Sequence, residues 1–501
     1  MQINTLEYLD GTAAKYGEKI AYCDETEALT FEQVHNYSLN IGSALLPVTK
    51  KNSPVIVISE KSIFTILLYL GVLQAGCYYI PIDKDLPVSR IKTILSLVES
   101  EVLLTDSGSA SLAESLEFHG TILYASDILE STPLAEALEA RRATIIDTDP
   151  AYVIFTSGST GVPKGVIGSH RSLIDYIDEI VRVSGIGPHD ILGNQSPLDY
   201  IAGIRDIYIP LKTGAATNLI PKKHFSMPAQ VFDYLDNHEI TTIYWVSTAL
   251  SICAEFDVFK YKTPETLQKI VFTGSVLPSK HLRYWQEHLP GRLFINQYGP
   301  TEITASCTWY RVDHLVEPDE TLPIGIPFRN TEIILLDDNN RPAAPGEQGE
   351  ICVRGTCLSL GYFKNPEKTA EAFVQNPLNN TCPELIYRTG DLGYIAADGN
   401  LFFSGRKDNQ IKHMGHRVEL SEIENTAMAM PGIDQCVSLY HTEKQNIYLF
   451  YKGNAEAKAI TIFFRERLPG FMAPRKLVRL DEFPFLFNGK IDKAALKNMM
   501  G

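Results

Sequence analysis

Hydrophobic residues cluster in short β-rich runs that end in small or polar residues, with helix-like segments between them. The runs are "SPVIVIS" (53–59), "AYVIFT" (151–156), "TTIYWVS" (241–247) and "KIVFTG" (269–274). The intervening segments "VSRIKTILSLVES" (88–100) and "AQVFDYLDNHEI" (229–240) carry apolar residues at helical spacing. Continuous apolar strands that alternate with helices are typical of parallel sheets covered on both faces. The pattern therefore predicts an α/β fold with largely parallel, doubly covered sheets.

The pattern changes from about Thr331, where strands of alternating hydrophobicity replace the earlier alternation of strands and helices. The turn sequences "DDNN" (337–340) and "ADGN" (397–400) join these strands and predict β-hairpins in a barrel or small sheet. After "SGRKDNQIK" (404–412) a last block has its own helix and strands. We therefore expect a domain boundary near Asp408, which gives domains of residues 1–407 and 408–501.

Composition and charge narrow the classes of function. The 501 residues carry 45 Lys and Arg against 60 Asp and Glu, a net charge of −15 that opposes binding to a phosphate backbone. The apolar stretch "SIFTILLYLGVLQAGCYYI" (62–80) is interrupted by Gly71, Gln74 and Gly76, which favours a buried helix running into a strand. The N-terminus lacks a signal-peptide pattern, and the 8 cysteines have no paired spacing. We expect a cytoplasmic protein without nucleic-acid or membrane partners and without structural zinc.

The strongest local motif is "YVIFTSGSTGVPKGV" (152–166), an apolar strand that runs into a loop rich in glycines and hydroxyls. Glycines allow backbone N–H groups to turn inward as an anion nest, the hydroxyls add donors and the lysine adds charge. Pro163 precedes the lysine and Gly165 follows it, so the loop departs from the Walker sequence of P-loop kinases and GTPases. A flexible linker is the alternative. We interpret the loop as a polyphosphate cradle formed by Thr156, Ser157, Gly158, Ser159, Thr160 and Lys164.

A second motif, "NQYGPTEIT" (296–304), directly follows an apolar strand. The Asn296 amide suits the edge of an adenine, the Tyr298 ring can stack on that base, and the Glu302 carboxylate suits Mg²⁺. Alone, the segment would be interpreted as a Gly-Pro turn. Its chemistry therefore depends on the motifs that accompany it.

Two later segments add groups for a ribose and for phosphate. In "YRTGDLG" (387–393), Asp391 at a strand end can accept both hydroxyls of a ribose, although an Asp-initiated turn is the ordinary alternative. In "SGRKDNQIKHMGHRVELSEIE" (404–424), Arg406 can neutralise phosphate or ribose oxygens and Gly415 marks a tight turn.

Taken together and in this order, the segments resemble the adenylate-forming superfamily of acyl-CoA synthetases, luciferases and the adenylation domains of nonribosomal peptide synthesis. The resemblance covers nearly the whole chain and includes "LTFEQV" (29–34), "LQAGCYYIPID" (73–83), "GEICVRG" (349–355), "LPGFMAPRKLV" (468–478) and "NGKID" (488–492). "YIPID", "NQYGPTE" and "NGKID" are most similar to amino-acid adenylation domains, and the compact length is similar to stand-alone D-alanine–carrier-protein ligases. The resemblance implies a large N-terminal domain of two doubly covered α/β sheets plus a β-barrel-like subdomain, and a small, mobile α+β C-terminal domain.

The resemblance also implies a ligase that uses ATP and Mg²⁺ in two half-reactions. A substrate carboxylate attacks the α-phosphate of ATP to give an acyl-adenylate and pyrophosphate, and a thiolate then displaces AMP to form a thioester. The implied catalytic residues are Lys490, Glu302 and Arg406, with Glu302 as the magnesium ligand. The implied nucleotide-binding residues are Thr156, Ser157, Gly158, Ser159, Thr160, Lys164, Asn296, Tyr298, Gly299, Thr301 and Asp391. Asp408 is the implied hinge, about which the C-terminal domain rotates between the half-reactions.

The acid is expected to bind beside "NQSPLDYIAGIRDIY" (194–208). In amino-acid adenylation domains this segment usually reads Phe-Asp-x-Ser, and that Asp binds the α-amino group of the substrate. A gapless match places Ile201 at the Asp position, whereas a two-residue insertion places Asp199 there. Asp199 either binds an amine or caps the following helix. By the gapless match the pocket is lined by Ile201, Ala202, Arg205, Trp245, Val271, Thr273, Gln297, Ala305 and Ser306, with Asp199 nearby.

Arg205 is unusual inside a pocket because an unpaired buried charge is costly. We expect it to pair with Asp199, Asp206 or a polar group on the substrate. The working hypothesis is an amino acid whose amine is not in the ordinary α position, such as a β-amino or aromatic amino acid. An ordinary small α-amino acid is the next choice.

The expected source of the thiol acceptor is inferred from the length of the chain, because the sequence stops just after the Lys490 motif. We therefore expect the acceptor in trans, as the phosphopantetheine arm of a separate carrier protein. An aryl- or acyl-CoA ligase is the alternative, which the apolar Ile201 would suit. A non-catalytic binding protein of the same fold is disfavoured because Lys164, Glu302 and Asp391 are all present.

Overall fold

The computed structural model describes residues 2–158, 162–408, 410–442, 444–484 and 491–500. The predicted site residues Ser159, Thr160 and Lys490 lie outside these described residues. The α-helices, in chain order, are α1 (Leu6–Tyr16), α2 (Phe31–Leu45), α3 (Ile63–Gln74), α4 (Val88–Val98), α5 (Ala110–Ser115), α6 (Ala125–Ile128), α7 (Ala135–Arg142), α8 (His170–Ser184), α9 (Ile204–Thr213), α10 (Pro228–Asn237), α11 (Ser247–Glu255), α12 (Ser279–His288), α13 (Pro366–Ala372), α14 (Leu420–Met428), α15 (Ala457–Arg465) and α16 (Lys493–Asn498). Short 3₁₀ helices span Leu46–Val48, Ile201–Gly203, Lys222–Ser226, Val258–Lys260, Thr301–Ile303 and Gly470–Met472.

The β-strands account for most of the apolar runs in the sequence. In chain order they are β1 (Ile20–Cys23), β2 (Ala28–Thr30), β3 (Pro54–Ser59), β4 (Tyr78–Asp83), β5 (Val102–Thr105), β6 (Thr121–Tyr124), β7 (Pro150–Thr156), β8 (Lys164–Ser169), β9 (Ile191–Asn194), β10 (Ala216–Leu219), β11 (Thr242–Val246), β12 (Lys269–Thr273), β13 (Leu293–Tyr298), β14 (Thr308–Arg311), β15 (Ile326–Pro327), β16 (Thr331–Leu336), β17 (Gly349–Gly355), β18 (Phe373–Gln375), β19 (Leu385–Ile395), β20 (Leu401–Arg406), β21 (Gln410–His413), β22 (His416–Glu419), β23 (Ile433–His441), β24 (Asn446–Gly453) and β25 (Lys476–Arg479).

Contacts within the chain divide it into two compact units. The first unit consists of Met1–Lys84, Ser100–Ile154 and Gly165–Lys407. The second consists of Asp85–Glu99, Phe155–Lys164 and Asp408–Gly501. Helix α4 and the loop that follows β7 therefore group with the C-terminal segment.

The first unit contains two large sheets with mainly parallel pairing. The nine-stranded sheet has the order β15-β14-β13-β12-β11-β9-β10-β1-β2, and the six-stranded sheet has the order β6-β5-β3-β4-β7-β8. The central strands β11, β12 and β13 are parallel and in register, as are β3, β4 and β5. Their side chains are buried on both faces, which requires the near-continuous apolar sequences seen at these strands. The predicted α/β class with doubly covered sheets is confirmed.

Helix α3 is the buried helix that the sequence predicts, and it leads into strand β4. Every residue of this helix except Phe64 is buried, which is why its sequence is apolar on all sides. Gly71 lets α3 lie close to α2, because a Cβ atom at Gly71 would be 2.3 Å from the Ile41 Cγ2 atom. The interruption by glycine in this run is thus a packing feature.

A five-stranded sheet formed by β16–β20 completes the first unit. Strands β16 and β17 pair antiparallel, as do β19 and β20. The Asp337 carboxylate accepts hydrogen bonds from the backbone of Asn339 and Arg341, both at 2.8 Å, and so closes the first hairpin turn. The Ala396 N–H donates to the Asn400 carbonyl at 2.9 Å in the second. The β-hairpins predicted at "DDNN" and "ADGN" are confirmed.

The C-terminal part of the second unit is a small α+β fold. Its three-stranded sheet has the order β23-β24-β25, and its core includes apolar residues of α14 and α15. Strands β21 and β22 form a hairpin whose turn residues Met414 and Gly415 have φ values of +52° and +82°. A two-residue turn with two positive φ angles favours glycine, so the tight turn predicted at Gly415 is confirmed. In the described part of the chain, no helix has both the length and the apolar character needed to cross a membrane.

The close packing of α2 on α3 gives a direct test of this fold. We expect Gly71→Ala to lower the free energy of unfolding by about 1–3 kcal/mol, because the added methyl group overlaps Ile41. The matched control is Gly11→Ala in α1, where a Cβ atom meets nothing within 4 Å. Since alanine has the higher helix propensity, this control should raise stability by roughly 0.5–1 kcal/mol. Urea denaturation measures both, and equal effects in the two variants would contradict the packing.

Candidate active site

The carboxyl ends of three parallel strands bring several predicted site residues together in the first unit. The register pairs Val246 with Thr273 and Thr273 with Gln297 at the ends of β11, β12 and β13. Gln297 is buried, and neither its amide oxygen nor its amide nitrogen has a hydrogen-bond partner among the described residues. Ligand sites in parallel sheets form at this edge. Thr273 and Gln297 are therefore neighbours with polar groups available for a ligand.

Side chains along these strands alternate between two different cores. Tyr244, Val271 and Ile295 pack in one core, together with α9 and its neighbours. Trp245 and Phe272 pack in the other, where the Trp245 indole N–H donates to the Gly193 carbonyl at 2.9 Å. The predicted pocket residues are thus divided, with Ile201, Val271 and Ala305 in the core of Tyr244 and Trp245 in the opposite one.

A buried carboxylate, a phenol and a guanidinium meet at the ends of β13 and β20. The prediction that Asp391 lies at a strand end is wrong, because β19 continues past it to Ile395. The Tyr298 hydroxyl donates to Asp391 Oδ2, and Arg406 Nη1 forms an ion pair with Asp391 Oδ1. Strand pairing sets Asp391 opposite Arg406, and Arg406 Nη2 also donates to the Thr389 carbonyl at 3.2 Å. Burial and the neighbouring Asp391 charge raise the pKa of Tyr298, so this phenol stays protonated and serves as a donor. Two predicted nucleotide-binding residues, Tyr298 and Asp391, are therefore in direct contact with the predicted catalytic residue Arg406 or with each other.

Glu302 is fully buried in the 3₁₀ turn Thr301–Ile303, and its Oε1 atom accepts a hydrogen bond from the Tyr362 hydroxyl at 2.7 Å. Among the described residues, no group of three or more His, Cys, Asp or Glu side chains is arranged to hold a metal ion. Mg²⁺ usually binds through one or two carboxylates together with substrate phosphates and water. A single carboxylate such as Glu302 fits a magnesium ion that arrives with ATP.

The backbone around this turn is unusually tight. A Cβ atom at Gly299 would lie 2.5 Å from the Ser306 Cα atom, so only glycine fits there. Thr304 and Ala305 both have positive φ, at 56° and 73°. Such angles are costly for residues other than glycine and often occur at functional sites. Asn296 lies just before this turn, and its amide donates to the Pro323 carbonyl at 2.8 Å.

The described ends of the predicted phosphate loop belong to the second unit. The Thr156 hydroxyl donates to the Lys164 carbonyl at 3.4 Å, and the Ser157 hydroxyl donates to the Arg417 carbonyl at 2.8 Å. A Cβ atom at Gly158 would overlap the Val162 carbonyl at 2.0 Å, so the loop requires glycine at this position. Within the same unit, the Asp408 carboxylate accepts a hydrogen bond from the Gln410 backbone at 3.1 Å.

Asp199 does not cap a helix. The 3₁₀ helix Ile201–Gly203 is preceded by Tyr200 and α9 is preceded by Gly203, and neither helix start has a side-chain cap. Asp199 instead lines a small cavity of about 20 Å³ together with Lys61, Tyr69, Asp83 and Lys222. That space is enough for one group of the size of a water molecule or an ammonium. The structure therefore contradicts the capping alternative for Asp199, and amine binding stays a prediction.

The charges around Asp199 set its ionisation. Lys222 forms an ion pair with Asp83 at 2.9 Å. Burial, and then repulsion from Asp83, raise the pKa of Asp199 to about 7, although the Lys222 charge opposes the rise. Asp83 and Lys222 were not predicted as site residues, and the available signal was that Asp83 ends the "YIPID" motif.

Arg205 is fully buried on α9, and its Nε atom donates to the Ala202 carbonyl at 3.1 Å. Its guanidinium carbon lies 5.2 Å from the centre of the Tyr244 ring. Within the described chain, Arg205 forms no direct ion pair with Asp199 or Asp206, although its charge opposes the rise in the pKa of Asp206. The neighbouring Asp206 accepts a hydrogen bond from the Asn194 amide at 2.7 Å, and burial raises its pKa to about 6.

Comparisons with known proteins give a family match over most of the chain. Residues 9–363 match the family described as AMP-binding enzyme. Tyrocidine synthase 1 from Brevibacillus parabrevis is 30% identical over 498 residues, which cover 97% of this chain and 44% of that protein. This chain therefore spans less than half the length of that relative.

Two solved structures share the fold. The adenylation domain AlmE from Vibrio cholerae, in complex with glycyl-adenosine-5′-phosphate, aligns with a TM-score of 0.86 at 21% identity and covers 100% of this chain and 98% of its own. PA1221, a nonribosomal peptide synthetase protein containing adenylation and PCP domains, aligns with a TM-score of 0.85 at 24% identity. That alignment covers 99% of this chain and 84% of PA1221.

The raised pKa of Asp199 predicts a pH-dependent stability. Between the ordinary value of 3.8 and about 7, folded Asp199 holds a proton that the unfolded chain has released. The free energy of unfolding contributed by this group therefore falls as pH rises through that range. Asp199→Asn removes the effect, so the variant should gain stability relative to the wild type between pH 5 and pH 8.

Urea denaturation at the two pH values measures this difference. The control is Asp319→Asn at an exposed position, which should follow the wild-type profile at both pH values. A stability difference between Asp199→Asn and the wild type that does not change with pH would contradict the placement of this carboxyl group.

Proposed function

Since the chain belongs to the AMP-binding enzyme family, we propose that it activates an amino acid with ATP as an aminoacyl-adenylate. We further propose that it transfers the acyl group to the phosphopantetheine thiol of a carrier protein. The glycyl-adenylate bound by AlmE supports an amino-acid substrate, and the PCP domain of PA1221 supports a carrier protein as the acceptor. Both are properties of those proteins, and they come to this chain as part of the proposal.

The observation that carries the proposal is the buried contact among Tyr298, Asp391 and Arg406. A carboxylate has about four lone-pair sites, so each oxygen of Asp391 keeps an acceptor site for a ribose hydroxyl after binding its partner. Tyr298 and Arg406 fix the orientation of the carboxylate. A nucleoside bound there would place its base beside the Asn296 strand end and its phosphates toward Glu302.

In the first half-reaction, an oxygen of the substrate carboxylate attacks the α-phosphorus, and the bond from that phosphorus to the pyrophosphate oxygen breaks. Negative charge grows on the departing pyrophosphate, so positioned cations and backbone N–H groups lower the barrier. We assign the phosphate contacts to the Thr156–Lys164 loop and the carboxylate contact to Lys490. Magnesium would supply charge neutralisation between the phosphates, with Glu302 as its protein ligand.

In the second half-reaction, a thiolate sulfur attacks the acyl carbon, and the bond from that carbon to the AMP oxygen breaks to release AMP. We assign the hinge between the two half-reactions to Asp408. A carboxylate at the start of the C-terminal block can stabilise different backbone conformations by accepting different N–H donors. In this proposal the domains 1–407 and 408–501 each move as a rigid body.

Substitution of Asp391 tests the nucleotide site. We expect Asp391→Asn to reduce pyrophosphate exchange by about 10²-fold, because the change removes the charge that pairs with Arg406 and orients the ribose. The loss should include a raised KM for ATP. Asp338→Asn is the matched control, since Asp338 lies near the same sheet but its side chain is 92% exposed. Equal exchange rates in the two variants would refute the assignment.

The reaction itself is tested by ATP–pyrophosphate exchange with a panel of free amino acids and aryl or fatty acids. Exchange that depends on an amino acid is the expected result. Adding either CoA or a phosphopantetheinylated carrier protein then identifies the acceptor, and we expect a thioester on the carrier. A thioester with CoA alone would establish the alternative, an acyl- or aryl-CoA ligase.

A further inference from the structure

The Arg205 guanidinium has hydrogen-bond donors that the described residues do not use. Only its Nε atom has a partner, the Ala202 carbonyl, whereas both terminal nitrogens are buried without one. A buried guanidinium without an acceptor is costly, because its five N–H donors lose water and gain nothing in return. The face of the Tyr244 ring, whose centre is 5.2 Å from the guanidinium carbon, compensates part of the charge. It accepts no hydrogen bond from these N–H groups.

Other buried polar atoms have no hydrogen-bond partner among the described residues. The hydroxyl oxygens of Tyr176, Tyr244 and Ser306 belong to residues grouped with this guanidinium, and both side-chain amide atoms of Gln297 are unpartnered near the end of β13. Burial raises the pKa of Tyr176, and the nearby Arg205 charge opposes this rise, which places the phenol beside the guanidinium. Tyr244 lies in the middle of β11, and Gln297 is the next-to-last residue of β13. Buried polar atoms without partners mark a place where a polar ligand group can bind.

The unused N–H donors of Arg205 identify the sign of that group. Arg205 and Lys61 both lie near Asp206, and burial lowers the pKa of Lys61 to about 7. The Lys61 ammonium donates to the carbonyls of Asn194, Gln195 and Ile220 at 3.3, 3.3 and 3.0 Å, and Asp206 is held by the Asn194 amide. Arg205 is therefore the member of this group with free donors, and an anion would complete its pairing.

The other side of the segment carries an excess of carboxyl groups. Around the small cavity described above, the three carboxyl groups of Glu60, Asp83 and Asp199 meet the two amino groups of Lys61 and Lys222. An ammonium would balance that end. The two ends belong to one stretch of chain, 194–208, which is the segment that the sequence analysis relates to acid recognition.

We propose that the substrate is an amino acid with a second carboxylate, and that the Arg205 guanidinium binds this second carboxylate through its two terminal nitrogens. A planar guanidinium matches a carboxylate with two parallel N–H···O bonds, which is the geometry that a lysine cannot reproduce. The amine faces Asp199, and the remaining carboxylate is the one activated by ATP. This inference rests on the proposed function and names its substrate class.

Pyrophosphate exchange with paired substrates provides the test. The pairs are aspartate with asparagine, glutamate with glutamine, and 3-aminoglutarate with 3-aminobutyrate, so that each pair differs chiefly in the second carboxylate. For the wild type we expect kcat/KM to be at least about 10²-fold higher for the acidic member of the preferred pair, since the neutral member leaves the buried donors unpaired.

Variants at Arg205 connect that preference to the guanidinium. Arg205→Met should remove the preference by lowering kcat/KM for the acidic member about 10²-fold or more, without a matching loss for the neutral member. Arg205→Lys should keep part of the preference for the acidic member. The control is Arg182→Met, because Arg182 also lies over an aromatic ring, Trp309 at 5.9 Å, but pairs with Glu179 at 2.6 Å. This control should keep the wild-type ranking of substrates.

The outcomes separate this inference from the function on which it rests. If a neutral amino acid drives exchange best and its acidic partner is slower, the inference is overturned and the proposed function stays in place. An unchanged ratio of acidic to neutral kcat/KM in Arg205→Met would have the same meaning. Exchange with no acid of any class would overturn the proposed function and the inference together. If Arg205→Met fails to fold, as thermal unfolding would show, the wild-type ranking and Arg205→Lys decide the question.

Discussion

Parallel pairing of β11, β12 and β13 in register is the constraint on which the candidate site depends. Because the strands run in the same direction without a shift, Val246, Thr273 and Gln297 end at one edge of the sheet. A slip of one residue would turn every side chain to the other face. It would carry Gln297 away from Tyr244 and would leave Trp245 facing the wrong core. Packing on both faces of the sheet therefore fixes the position of the polar groups at its edge.

Much of this architecture could be predicted from local patterns in the sequence. The apolar runs predicted buried parallel strands, "DDNN" and "ADGN" predicted hairpins, and the broken apolar run at 62–80 predicted a buried helix leading into a strand. These features depend on short-range periodicity and turn chemistry, which a single sequence contains. The order of the motifs also gave the adenylate-forming family and its ligase class, and the family match over residues 9–363 confirms both.

The acid pocket was harder to predict because it depends on contacts between distant segments. The sequence left open whether Asp199 caps a helix, whereas α9 begins only at Ile204 after a separate 3₁₀ turn. Gly203 in that turn lies close to a preceding segment, since a Cβ atom there would be 2.5 Å from the Pro197 carbonyl oxygen. Nothing in the sequence indicated the positive φ angles of Thr304 and Ala305. The partnership of Asp83 with Lys222 likewise joins residues far apart in the chain.

Two carboxylates of one short segment, Asp199 and the buried Asp206, show how such distant contacts determine chemistry. Asp206 is accompanied by Arg205, Lys61 and the Asn194 amide, so burial raises its pKa only to about 6 and it is largely ionised at neutral pH. Asp199 faces the like charge of Asp83 in its cavity, and its pKa of about 7 leaves it poised between its two forms. An ammonium placed beside Asp199 would favour the ionised form, because an opposite charge nearby lowers the pKa of a carboxyl group. Asp199 and Asp206 are residues of the same type, seven positions apart, and only their surroundings give their carboxyl groups different ionisation.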